Sequence, residues 1–225
     1  MSLARRTVAE FLGTAMLVAA VVGSGIMAEN LSGGNAALAL LANTIATGAA
    51  LVALILTFAP VSGAHLNPVV TLSFTFRSSF STGFVFSYVV AQLIGGIAGV
   101  VAANLMFGLP AISLSAHMRA GGAQVFSECL ATSGLVLVIR LCASLQPRMI
   151  SFAVAAYITA AYWFTSSTSF ANPAVTIARS LSDTFTGIRP RDVPAFVLAE
   201  LVGAGLATIL AGWLIPKSSE SISDD

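Results

Sequence analysis

The sequence predicts an all-α membrane protein: six transmembrane helices plus two re-entrant half-helices, built as an inverted internal repeat. Three observations predict it. First, 57% of the 225 residues are hydrophobic and only 8% are charged, with a mean hydropathy of +0.93. A soluble domain carries about 25% charged residues. Too few charges remain to coat a water-facing surface, which excludes a soluble enzyme and a disordered chain. A net charge of +1 supplies no basic field for nucleic acid. Second, charge-poor runs long enough to cross a bilayer recur six times. Third, three short motifs recur in the same order in both halves of the chain.

The elements follow in order. Arg5 and Arg6 lead into span one, 7–27, which holds Glu10. That run is too long for a signal h-region and has no persuasive cleavage site. Span two covers 36–59. Nothing is charged between Arg77 and Arg119, and span three fits 81–107. Span four, 124–142, holds Glu128. Span five covers 149–164, and span six, 193–215, holds Glu200. The tail 217–225 is polar and reads as a solvated terminus. Cys129 and Cys142 would lie about 20 Å apart along one helix, too far for a disulfide, and read as inert thiols.

Two apolar pieces, 67–76 and 172–181, do not fit this series. Each has about ten residues, too few to cross a bilayer. Both are uncharged except for Arg179. Re-entrant half-helices account for them. Arg5, Arg6, Arg77, Arg140, Arg148 and Lys217 fall on one side of this layout, and Arg119, Arg179, Arg189 and Arg191 on the other. The positive-inside rule then puts both termini in the cytoplasm.

The repeat is explicit in the residues. Glu10-Phe-Leu-Gly-Thr-Ala-Met-Leu-Val18 matches Glu128-Cys-Leu-Ala-Thr-Ser-Gly-Leu-Val136 at five of nine positions. Asn67-Pro-Val-Val-Thr71 matches Asn172-Pro-Ala-Val-Thr176, and Ala91-Gln-Leu-Ile-Gly95 matches Ala199-Glu-Leu-Val-Gly203. The halves fall at about 7–109 and 121–216 of a single domain. Each has three spans, so the second must enter from the opposite side, a plan typical of transport proteins.

Asparagine is a preferred N-cap and proline a preferred first helical residue, so Asn-Pro starts a helix. Here it starts each half-helix. Inverted symmetry brings both starts to the bilayer midplane, with free N–H groups and positive dipole ends. Irregular backbone at that depth is tolerated around a cavity or inside protein. Asn67 and Asn172 are therefore expected to line one cavity, their side chains facing whatever passes.

At this point the sequence resembles a known family, the aquaporin and aquaglyceroporin channels of the major intrinsic proteins. The resemblance covers 8–215. It rests on Ser62-Gly63-Ala64-His65-Leu66-Asn67-Pro68-Val69, on Asn172-Pro173-Ala174, on Glu10 and Glu128, and on Ala91-Gln92. The family's motifs read Asn-Pro-Ala; the first here ends in Val69, a change expected to affect packing more than donor geometry. The resemblance implies six spans with two half-helices, one pore per subunit and a homotetramer in a lipid bilayer; the short loops point to a bacterial inner membrane. It implies no cofactor. It also implies that Glu10 and Glu128 hold the backbone of the re-entrant loops, as buried carboxylates need donors; a proton relay is the alternative. Glu200, the partner of Gln92, reads as helix-packing glue.

Family pores are narrowed on the outer side by four residues, the fourth usually arginine. Carried over by spacing, these are Thr47, Ala160 (or Ala161, after a one-residue slip), Ser169 and Val175. The set is small and neutral. A ring of this kind would be wide and would favour larger neutral solutes: trivalent metalloid hydroxides such as arsenite, polyols and urea, with water. Bacterial arsenite-channel members of the family resemble this chain in lacking that arginine. The alternative is a water-selective or nonselective pore. Arg179, four residues after Val175, could charge the outer vestibule or snorkel to headgroups. Catalysis is not expected: His65 and His117 are the only histidines and neither has a nucleophile or acidic partner placed with it. Two scattered histidines hold no metal. A coupled transporter needs ionisable groups along its path, and the half-helices offer only Arg179.

Overall fold

A computed structural model describes residues 1–75 and 82–215. The tail and two of the cationic residues used for orientation, Arg77 and Lys217, lie outside the described residues. Among the described residues eight α-helices follow one another: α1 (Leu3–Leu31), α2 (Ala36–Ser62), α3 (Pro68–Thr75), α4 (Thr82–Met106), α5 (Gly122–Leu145), α6 (Ile150–Phe164), α7 (Pro173–Arg179) and α8 (Val193–Leu214). The expected spans and half-helices map onto these within a few residues. Asn35 caps α2, its Oδ1 accepting from the N–H groups of Ala37 and Leu38 at 3.1 Å each. That helix runs past Pro60, beyond the expected end at 59, and stops at Gly63, whose φ of 95° is left-handed. Proline forfeits one hydrogen bond there but does not unwind a last turn that glycine ends.

Among the described residues five helices are long and apolar enough to cross a membrane. The sixth crossing, α6, has 15 residues. It rises only about 22 Å, and a 3₁₀ turn at Pro147–Met149 extends it. Large apolar side chains such as Phe86, Ile209 and Trp213 are more than three-quarters exposed on the flanks of the bundle. Their solvent is lipid, and the chain is a multi-pass membrane protein.

The packing repeats as the motifs do. Helix α1 lies against α4 and α2, and α5 lies against α8 and α6. Contact between α2 and α6 joins the halves. A Cβ on Gly95 would collide with the Phe11 carbonyl, and one on Gly203 with the Cys129 carbonyl. The third sequence match is thus the same helix crossing used twice, with glycine letting the backbones touch.

The short helices sit inside this frame. Helix α3 packs on α4, α8 and α5; α7 packs on α4, α8 and α1; and the two touch each other. Each half-helix is therefore held by both halves of the chain. At the end of the bundle opposite the N-terminus, segment 107–121 lies along 180–192. Ser113 and Ser115 donate to the Leu181 and Ser180 carbonyls at 3.0 Å each. Arg189 donates from its backbone to the His117 carbonyl at 2.8 Å, and its side chain pairs with Asp192 at 2.9 Å.

Candidate functional site: the meeting of two half-helices

Helix α7 starts as its sequence dictates. Asn172 caps it, Oδ1 accepting from the N–H groups of Ala174 (3.0 Å) and Val175 (3.4 Å), with Pro173 in the first turn. In the first half, Asn67 Oδ1 accepts from Val69 N–H at 3.0 Å, with Pro68 opening α3. Val69 is fully buried against Val136, Ala204 and Ala207. It does not line the cavity, so the departure from the family motif falls on packing.

The two asparagines reach across to each other's loops. Asn67 Nδ2 donates to the Ala171 carbonyl at 2.8 Å, and Asn172 Nδ2 to the Leu66 carbonyl at 2.9 Å. Each amide has two hydrogens. One is used in this exchange, and the structure gives the other no protein acceptor among the described residues. Both side chains line one cavity of about 350 Å³.

The loops leading into these helices are strained alike. Ala64 and Leu66 have φ of 48° and 49°; Ser169 and Ala171 have 51° and 48°. Non-glycine residues seldom adopt this region, and buried carboxylates hold them there. Glu10 Oε1 accepts from Ser62 Oγ (2.6 Å) and His65 N–H (3.0 Å), and its Oε2 from Leu66 N–H (2.7 Å) and Gln92 Nε2 (2.8 Å). Glu128 accepts from Phe170 N–H at 2.9 Å and Ala171 N–H at 2.8 Å. Glu200 does more than pack helices. Its Oε1 accepts from Asn172 N–H (3.1 Å) and Thr176 Oγ (2.6 Å). His65 stacks on Phe74 with ring centroids 5.1 Å apart and meets Thr71 Oγ at 3.1 Å.

Thr47, Ser169 and Val175 line the same cavity. Ala160 does not: it is exposed on the outside of the bundle, and Ala161 is fully buried but away from the cavity. Tyr162 stands there instead, its hydroxyl 3.3 Å from Thr47 Oγ. The reason is helical periodicity. Ile150, Val154, Ile158 and Tyr162 follow one another at four-residue steps on the cavity face of α6. At this level the cavity wall therefore carries the Tyr162 phenol where the alanine assignment puts a methyl group. Ser169 Oγ is buried with no partner among the described residues.

Arg179 faces inward rather than toward headgroups. It is 2% exposed, lies over the Phe170 ring 3.4 Å from its centroid, and donates Nε–H to the Thr186 carbonyl. Arg119, which sequence reasoning did not single out, covers the other approach to Phe170, 5.0 Å from the centroid. No local signal marks it; it is brought in by the pairing of two distant loops. Among the described residues, no group of three or more His, Cys, Asp or Glu could hold a metal ion.

Opposed half-helices inside an inverted bundle, with paired amides on a shared cavity, define a membrane channel rather than an enzyme. The chain belongs to the major intrinsic protein family, whose model matches residues 1–165. It is 54% identical over 213 residues to aquaglyceroporin AqpS of Rhizobium meliloti (strain 1021), covering 95% of this chain and 91% of that protein. It is 32% identical over 221 residues to aquaporin TIP1-2 of Zea mays, covering 92% and 84%. Among solved structures, the aquaglyceroporin from Plasmodium falciparum superposes with a TM-score of 0.67 at 22% identity, over 93% of this chain and 95% of that one. That last likeness concerns the fold alone.

Proposed function

We propose that this protein is a passive channel for small neutral solutes, selecting them at a ring that lacks the family's usual arginine. Polyols, urea and trivalent metalloid hydroxides such as arsenite are its solutes, with water. The observation that carries this reading is the chemistry of the ring. Thr47, Tyr162 and Ser169 bring three hydroxyls, and Val175 faces them with methyl groups. A solute with hydroxyls on one side and carbon on the other matches both surfaces. The amides of Asn67 and Asn172 then receive its oxygens at the midplane, where two helix starts disfavour cations. Glu10 and Glu128 act as structural acceptors for loop backbone, a role supported by their hydrogen bonds and not requiring proton movement.

The whole chain is read as one channel domain with repeats at 7–109 and 121–216. It acts as a homotetramer in the bacterial inner membrane, with both termini in the cytoplasm. Stopped-flow measurements on proteoliposomes test the reading. Water, glycerol, urea and arsenite should equilibrate faster than through protein-free liposomes, with no dependence on proton or sodium gradients. Solute accumulation driven by either gradient would instead make the chain a coupled transporter.

A further inference from the structure

We infer that Arg179 is the polar donor at the mouth of the pore opposite the N-terminus: its terminal amino groups receive the oxygens of uncharged hydroxylated solutes, and its charge turns cations back. This deepens the channel reading above and rests on it.

Arg179 sits at the last residue of α7, four positions after Val175, so its Cα is about 6 Å further along the helix. Its Nε–H is taken by the Thr186 carbonyl and one face of its guanidinium covers Phe170. These contacts fix the plane of the group. Neither terminal amino group meets a protein acceptor among the described residues, although the side chain is 2% exposed. A buried guanidinium in that state requires oxygen from whatever fills the space beside it.

That space is defined. Arg179 lines the main cavity, and it also lines a second cavity of about 210 Å³ with Asn43, His117, Arg119, Thr168 and Thr186. Among the described residues no other side chain belongs to both linings. A solute moving between the two passes Arg179. Its neighbour Arg119 is more fully engaged, because its Nε and both terminal nitrogens meet loop oxygens, Nη1 reaching Thr168 Oγ1 (3.4 Å) besides a carbonyl. Nε donates to Gly187 at 2.7 Å, Nη1 to Ser167 at 3.2 Å and Nη2 to Phe185 at 3.4 Å. Arg119 staples the loops, and Arg179 is left with donors to offer. The duty absent from Val175 is thus carried one helical turn further out.

Three variants test this in liposomes loaded with matched amounts of protein. Arg179→Met removes charge and donors, Arg179→Gln removes the charge but keeps a donor for Thr186, and Arg179→Lys keeps the charge. Wild type must first pass water and glycerol; if it passes neither, the channel reading fails and this inference with it. With wild type active, methylammonium permeability should rise at least fivefold in the Met and Gln variants and stay at the wild-type level in the Lys variant. The glycerol-to-water permeability ratio should fall at least threefold in the Met variant. If the Met variant does not fold, the Gln variant carries the test. Water-conducting Gln or Met variants that exclude methylammonium as wild type does would overturn the inference. So would a Lys variant that leaks methylammonium as the others do, or variants that melt like wild type yet conduct no water.

Discussion

The two half-helices are supported by the same plan and different chemistry. In the first half, Gln92 Nε2 bridges Glu10 (2.8 Å) and Thr71 Oγ (3.0 Å). In the second half, the matching residue is Glu200. It takes the Asn172 N–H and the Thr176 hydroxyl on one oxygen, and its carboxyl group faces that of Glu128. Glu10 accepts four hydrogen bonds, whereas Glu128 takes two from loop N–H groups and one from the Ser167 side chain. The difference teaches that the inverted repeat conserves the shape of the site, while the buried acceptors are distributed over one carboxylate in the first half and two in the second.

That asymmetry can be broken in graded steps. The largest effect is expected from Glu10→Ala, which strands four donors, each costing about 1–3 kcal/mol when left unpaired. Thermal unfolding in detergent should show a loss of several kcal/mol, clearly more than for Glu128→Ala; equal losses would remove the asymmetry. Gln92→Glu comes next. It replaces a donor to Glu10 with a second carboxylate, a change expected to cost about 2 kcal/mol, because a buried acceptor then faces another acceptor. Gly203→Ala forces α5 and α8 apart at the Cys129 carbonyl and should cost about 1–3 kcal/mol, with Gly95→Ala behaving alike at α1 and α4. The smallest effect belongs to Glu200→Gln, which copies the first half into the second. It should shift the melting free energy by less than about 1 kcal/mol and leave solute flux intact; abolished flux in a well-folded variant would show that Glu200 serves transport directly.

Much of this was legible from sequence because it is written in composition and in local capping chemistry. Six spans appear as charge-poor runs, and the half-helices appear as runs too short to cross that begin with Asn-Pro. Glu10 and Glu128 stand out because a charge inside an apolar run is rare. What the residues did not reveal depends on rotation and on distant pairing. Helix α6 is apolar all round, so nothing in Ala160-Ala161-Tyr162 says which face meets the cavity. Counting back from Asn172 also crosses left-handed turns at Thr168, Ser169 and Ala171, where a fixed spacing loses its meaning. Arg119 enters the site only when segment 107–121 docks on 180–192. Glu200 Oε1 meets the Asn172 N–H only once α7 packs on α8, a contact between distant segments.

The central claim is that selection between solutes occurs at the ring of Thr47, Tyr162, Ser169 and Val175. The most direct test is Val175→Arg, compared with wild type by stopped-flow in proteoliposomes of matched protein content. The change adds a long side chain with a permanent charge and five donors beside the hydroxyls of the ring. Permeability to glycerol and to trivalent arsenic hydroxide should fall by about tenfold or more, an added barrier of about 1.4 kcal/mol, while water permeability falls less than threefold. Equal fractional losses for water and for the larger solutes would contradict the claim.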